Sequence, residues 1–111
     1  SGNDGYPPFN IEQSSENGFR ITLAVAGFRE ADIAITVEDR QLMIRGRQAD
    51  EVDEGRVFLH RGIAARAFQR SFVLADGVEV AGAVLENGLL HVDLNRAVPE
   101  KIVQTIRITK G

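Results

Sequence analysis

Phe19-Arg20-Ile21-Thr22-Leu23-Ala24-Val25 carries an apolar residue at every odd position. Successive side chains on a strand point to opposite faces, so this stretch reads as a β-strand with one buried face. The same rhythm returns along the chain. Ile33-Ala34-Ile35-Thr36-Val37 repeats it, and Leu42-Met43-Ile44-Arg45 turns Leu42 and Ile44 inward and Arg45 outward. Residues 67–74 put Phe68, Phe72 and Leu74 on one side, and Leu90-His91-Val92-Asp93-Leu94 closes the series. Phe9-Asn10-Ile11-Glu12 is a shorter candidate at the start.

Turn chemistry separates these runs. Asn17-Gly18 and Asn87-Gly88 read as hairpin turns, because both residue types tolerate positive φ. Glu38-Asp39-Arg40-Gln41 reads as a polar four-residue link, and Gly27 with Glu30 and Asp32 marks a loop ahead of Ile33. Residues 75–83 are small, but Gly77 and Gly82 argue against a helix there. Between Val80 and Leu85 the inward face is ambiguous, since Val84 and Leu85 compete for it. Seven or eight short strands at about 8–12-residue spacing predict an all-β, antiparallel β-sandwich.

Composition narrows the function. The 111 residues suit one domain with one core. Cysteine is absent, which excludes disulfides, thiolate metal sites and cysteine nucleophiles. A net charge of −3 argues against nucleic-acid binding, which needs a basic face. No apolar run approaches the roughly 18 residues of a membrane span. No signal peptide is expected from the residues given, and Ser1-Gly2 reads as a tag remnant. Catalytic chemistry finds no constellation. His60 and His91 have no spaced carboxylate partners and read as solvated or structurally satisfied. Ser14, Ser15 and Ser71 have no nucleophile-elbow glycines, and no glycine loop cradles a phosphate. Asp50, Glu51, Asp53 and Glu54 lack calcium-loop spacing and read as a solvated charge run. No enzyme activity, metal or other cofactor is expected.

Two segments break the strand rhythm. Residues 48–65 make a long excursion, acidic first and then apolar and strand-like at Val57-Phe58-Leu59. Loops beyond about 12–15 residues are uncommon unless they carry function or are disordered. This triplet either folds back on its own sandwich or pairs with a second copy. After Pro99, Ile102 and Val103 could pack locally. Further on, Ile106-Arg107-Ile108 places two isoleucines on one side of an extended chain. It is either a frayed end or a peptide that adds to a sheet edge on another molecule. Burying both isoleucines would give about 3–6 kcal/mol gross, much of it offset by ordering the tail. Such a contact is weak singly and firm only in numbers.

Arginine dominates the cations, eleven against two lysines, as suits ion pairs at interfaces. Arg66 and Arg70 flank Phe68. Arg70 shares the parity of Phe68 and Phe72, so either it faces buried or interface surface with a carboxylate partner, or the strand bends and returns it to water.

The ordered set of motifs resembles the alpha-crystallin domain of small heat-shock proteins. Ala83-Val84-Leu85-Glu86-Asn87-Gly88-Leu89-Leu90 is similar to the family's A-x-x-x-n-G-v-L signature, anchored by Ala83, Asn87, Gly88 and Leu90, with Leu89 in place of valine. Ile106-Arg107-Ile108 resembles its C-terminal I-x-I motif. Residues 62–74 and the opening Tyr6-Pro7-Pro8-Phe9-Asn10-Ile11 are similar to the bacterial inclusion-body-binding class. The likeness spans roughly residues 6–108, with a domain at 6–98 and a tail at 99–111. It implies an immunoglobulin-like sandwich whose long inter-strand arm, Val57, Phe58 and Leu59, is exchanged in a homodimer, with Arg70 near the interface. It implies that Ile106 and Ile108 dock in a groove of a neighbouring dimer, framed by Ile33, Ile35 and Val37 and by Val80 and Val84. The implied activity is that of a cytoplasmic, ATP-independent holdase. It would form higher homo-oligomers, keep unfolded client proteins from aggregating and release them to ATP-driven chaperones. The family carries an apolar N-terminal arm, whereas here almost nothing precedes Tyr6. A monomeric β-sandwich co-chaperone or another protein-binding module of the same architecture is the alternative.

Overall fold

Residues 5–49, 54–98 and 103–111 are described by the computed structural model, and seven strands form among them. These are β1 (Phe9–Ser15), β2 (Gly18–Ala24), β3 (Ile33–Glu38), β4 (Gln41–Arg47), β5 (Ala67–Val73), β6 (Val78–Glu86) and β7 (Leu89–Arg96). A 3-10 turn, Glu30–Asp32, precedes β3. Antiparallel pairing gives one sheet in the order β1-β2-β7-β6 and another in the order β3-β4-β5.

Alternation decides which faces meet. Ile21 lies opposite Val92, and Leu23 opposite Leu90, on the inner face of the first sheet. Leu42 and Ile44 of β4 come from the second sheet, and Val25, Phe28, Phe68, Leu74 and Leu94 complete one buried cluster. Burial of each such side chain contributes about 1.5–3 kcal/mol. Phe68 packs edge-on against Phe28, with ring centroids 5.1 Å apart, and against Tyr6 at 6.2 Å. Gly46 stands opposite Phe68 on β4, and the ring occupies the space a Cβ there would need. At one side of the sandwich β5 approaches β1, where Phe9 meets Phe72 edge-on at 5.2 Å. At the other side β3 and β6 are the free edges.

Three turns refine the sequence expectations. Asn87 and Gly88 have φ of 52° and 75° and close the β6–β7 hairpin as their type predicts. The Gly88 carbonyl accepts from Val25 N–H at 2.8 Å, and a Cβ on Gly88 would lie 3.4 Å from Ala26. Asn17-Gly18 does not form the first hairpin turn. That turn falls on Glu16 and Asn17, with Ser15 paired to Gly18 and a bulge near Ser14 that shifts the register. The four-residue link 38–41 is instead a two-residue turn, because Glu38 still pairs with Gln41 and Asp39 and Arg40 both take positive φ, 48° and 64°.

β6 settles the competition between Val84 and Leu85. Its pairing with β7 slips between Val80 and Gly82, so an extra residue interrupts the ladder. A bulge of this kind reverses which alternate side chains point inward. Val78 and Val80 pack on the core before it and Leu85 after it, while Val84 is left half-exposed.

Candidate functional site

The arm leaves the sandwich between β4 and β5. Its base is closed by Gln48, whose N–H donates to the Arg66 carbonyl at 2.9 Å and whose Oε1 accepts from Arg66 N–H at 2.7 Å. The Arg66 guanidinium then rests 4.4 Å from the Tyr6 ring centroid. Beyond that clasp every residue from 54 to 67 is exposed. Val57-Phe58-Leu59 forms no strand within the single chain, contrary to its strand-like sequence. An isolated extended segment has no neighbour to complete its backbone hydrogen bonds. Val57 is 88% exposed and Leu59 wholly so. Phe58 is less so, held between Arg56 and Arg61, whose guanidinium carbons stand 5.2 Å and 4.7 Å from its ring. The triplet therefore does not fold back on its own sandwich. Asp50, Glu51 and Asp53 lie outside the described residues, and Glu54 is exposed.

Arg70 faces inward with Phe68 and Phe72, half-buried. The expected carboxylate partner is replaced by a carbonyl: Nε and Nη2 both donate to the Pro7 oxygen, at 3.2 Å and 3.0 Å, and the guanidinium lies 4.9 Å from the Phe9 ring. A main-chain oxygen and a ring face suffice because the side chain is only partly withdrawn from water. Arg70 thereby holds the entry to β1, the outer strand of its sheet, against β5. A second groove, of about 390 Å³, runs along this side between Ile11 and Phe19 and the strand carrying Phe72.

The groove at the opposite side measures about 510 Å³ and lies between β3 and β6. Ile33, Ile35 and Val84, which the resemblance implied as groove residues, line it. Val37 and Val80 do not. Val37 sits further along β3, half-exposed, and Val80 packs on the core ahead of the bulge. Ala83, Leu85, Leu90 and Glu30 complete the lining. The bulge turned Leu85 inward, settling a parity that the sequence left open between Val84 and Leu85, and Glu30 read as an ordinary loop acid. Ala83, Asn87, Gly88 and Leu90 of the signature hairpin therefore have two tasks: Asn87 and Gly88 make the turn, and Ala83 and Leu90 wall the groove.

The tail, 103–111, is exposed throughout and forms no strand. Val103 is 78% exposed and Ile108 94%. Pro99, Lys101 and Ile102 lie outside the described residues.

His91 is half-buried and shares a 2.9 Å hydrogen bond between Nδ1 and Thr22 Oγ1. His60 is on the exposed arm. Arg20 grips Asp93 with two parallel bonds, Nε to Oδ1 at 2.7 Å and Nη2 to Oδ2 at 3.1 Å. These bonds hold the Asp93 carboxyl below the usual carboxylate range against a smaller opposing effect of burial. Among the described residues no three histidine, aspartate or glutamate side chains gather as a metal site. No helix among them is long and apolar enough to cross a membrane.

Comparison with known proteins gives the same architecture. The Hsp20/alpha crystallin family model matches residues 11–109. The small heat shock protein IbpA of Escherichia coli K12 is 51% identical over 98 residues, covering 88% of this chain and 71% of that protein. IbpA of Serratia proteamaculans is 50% identical over 101 residues, covering 91% and 73%. Among solved structures, a C-terminally truncated small heat shock protein AgsA from Salmonella typhimurium superposes with a TM-score of 0.71 at 30% identity, covering 92% of this chain and 98% of that one. Sandwich, signature hairpin and these likenesses converge: the chain belongs to the Hsp20/alpha crystallin family of small heat-shock proteins, which are ATP-independent chaperones and not enzymes.

Proposed function

We propose that this chain works as a dimer built by arm exchange, and that the dimers assemble further through their tails into a holdase for partly unfolded proteins. The observation that carries the reading is the exposure of Val57, Leu59, Ile106 and Ile108 on the isolated chain. Apolar side chains placed in water on two long appendages cost free energy that a partner surface returns. For the arm, that surface is the outer edge of β1 on a second copy, which no other strand among the described residues pairs with and where Phe9 and Ile11 remain exposed. Arg70 supports the edge through Pro7. For the tail, it is the β3–β6 groove, with room for two isoleucines between Ile33, Ile35, Val84 and Leu85.

Weak single contacts make the assembly exchangeable, so warming uncovers the same grooves and edges for clients. Clients pass on to ATP-driven refolding chaperones in the cytoplasm, because a binding domain without a phosphate-cradling loop has no motor of its own. Sedimentation of the full chain tests the reading. Phe58→Asp should break the dimer. Ile106→Gly with Ile108→Gly should leave the dimer whole while the larger assemblies shrink. A chain that is monomeric before any substitution would instead favour the monomeric β-sandwich module.

A further inference from the structure

The β3–β6 groove is apolar except at one end, where Glu30 enters its lining. Glu30 begins the 3-10 turn ahead of β3. The other acid of that turn is already engaged: Asp32 accepts from Arg29 N–H at 2.8 Å and from Arg29 Nη2 at 3.0 Å. Glu30 makes no ion pair among the described residues. Glu38, at the far end of β3, is not part of the groove lining. The groove thus has a polarity, with a carboxylate at the β3 N-terminal end only.

The tail has a matching polarity. Gln104-Thr105-Ile106-Arg107-Ile108-Thr109-Lys110 contains two cations and no acid. In an extended chain Gln104, Ile106, Ile108 and Lys110 share one face, and Arg107 points the other way. A tail that seats both isoleucines therefore carries an uncharged amide at one end of the groove. At the other end it carries an ammonium, about 6.6–6.8 Å beyond Ile108.

We propose that Lys110 of one chain pairs with Glu30 of the groove it occupies on another chain, so that the docked tail runs antiparallel to β3. This rests on the tail-docking reading and adds a direction and a specificity residue to it. The ligand the groove prefers is then an extended segment with two apolar side chains two residues apart and a cation two residues further on. The reverse orientation would face Glu30 with Gln104 and lose the charge pair.

Charge exchange in the full chain tests this, read as the concentration at which tail-linked assemblies come apart in light scattering. Glu30→Lys and Lys110→Glu should each weaken the contact two- to fivefold, the range of an exposed ion pair, and Glu30→Gln should shift it the same way. The double exchange Glu30→Lys with Lys110→Glu should return to within about twofold of the parent, whereas Glu30→Lys with Arg107→Glu should not. The single-charge effects should fade at about 1 M salt. An unchanged midpoint for Glu30→Lys, or rescue by Arg107→Glu in place of Lys110→Glu, overturns the proposal. Ile106→Gly with Ile108→Gly, measured alongside, separates the two failures. If that pair shrinks the assemblies and the charge variants do not, docking stands and the Glu30 contact falls. If that pair changes nothing, docking itself falls, and this contact with it.

Discussion

Arg70 gives two hydrogen bonds to a single acceptor, the carbonyl oxygen of Pro7, at 3.2 Å and 3.0 Å. The pair ties β5 to the segment that leads into β1, across the side of the sandwich where the arm of a second copy would add. Arg70→Ala should cost about 1–3 kcal/mol in urea unfolding, the worth of charge-assisted bonds in a half-buried setting. Arg70→Lys should recover only part of that, because an ammonium lacks the planar fork. Full recovery by lysine would mean that charge alone matters there.

Gly46 and Phe68 form a similar dependency within the core. The ring fills the space that a side chain at position 46 would need. Gly46→Ala should destabilise the domain by about 1–3 kcal/mol through overpacking. Phe68→Leu should make the same change at Gly46 markedly less costly, and a double-mutant cycle on thermal or urea unfolding measures that coupling.

The β3–β4 turn has room for improvement. Asp39 and Arg40 both adopt left-handed backbone, at 48° and 64°. Aspartate tolerates that region, whereas a long side chain such as that of Arg40 is strained there by about 1–2 kcal/mol. Arg40 also pairs with Asp76, but both side chains are well exposed, so the pair contributes little. Arg40→Gly should therefore raise stability by up to about 1 kcal/mol, seen as a higher melting temperature. A loss would show that the ion pair outweighs the backbone strain.

Acid should weaken the fold through Asp93. Hydrogen bonds from Arg20 lower its folded pKa below the unfolded value. That stabilisation is complete above the unfolded carboxylate range, near pH 4, and is lost as pH falls toward the folded pKa. Asp32, lowered by its bonds from Arg29, acts with the same sign. Melting temperature should drop between about pH 5 and pH 2, and Asp93→Asn should flatten part of that drop. An identical pH profile for the variant would remove Asp93 from the account.

Strand identity was legible wherever alternation ran without interruption, as at Ile21 and Leu23, Leu42 and Ile44, and Leu90, Val92 and Leu94. Each buries one face, and periodicity is the trace that leaves. Three features left no such trace. The Asp39-Arg40 turn has arginine where a glycine normally follows aspartate at positive φ. The slip between Val80 and Gly82 reversed parity, marked in the sequence by a glycine inside the strand and not by periodicity, and so set Leu85, not Val80, beside the groove. Glu30 stands three residues ahead of Ile33 in a capped turn, where an acid ordinarily faces water. The arm and tail were legible in the opposite sense, as apolar residues that the alternation could not place.

Hydrogen exchange of the Val57-Phe58-Leu59 amides across a dilution series tests the central claim most directly, because the isolated chain gives this segment no strand partner. If a second copy completes it, these amides should be protected tenfold or more at concentrations where sedimentation shows a dimer, and should lose protection in step with dissociation. Exchange at the rate of an unstructured peptide at every concentration, with the dimer still intact, would contradict the account.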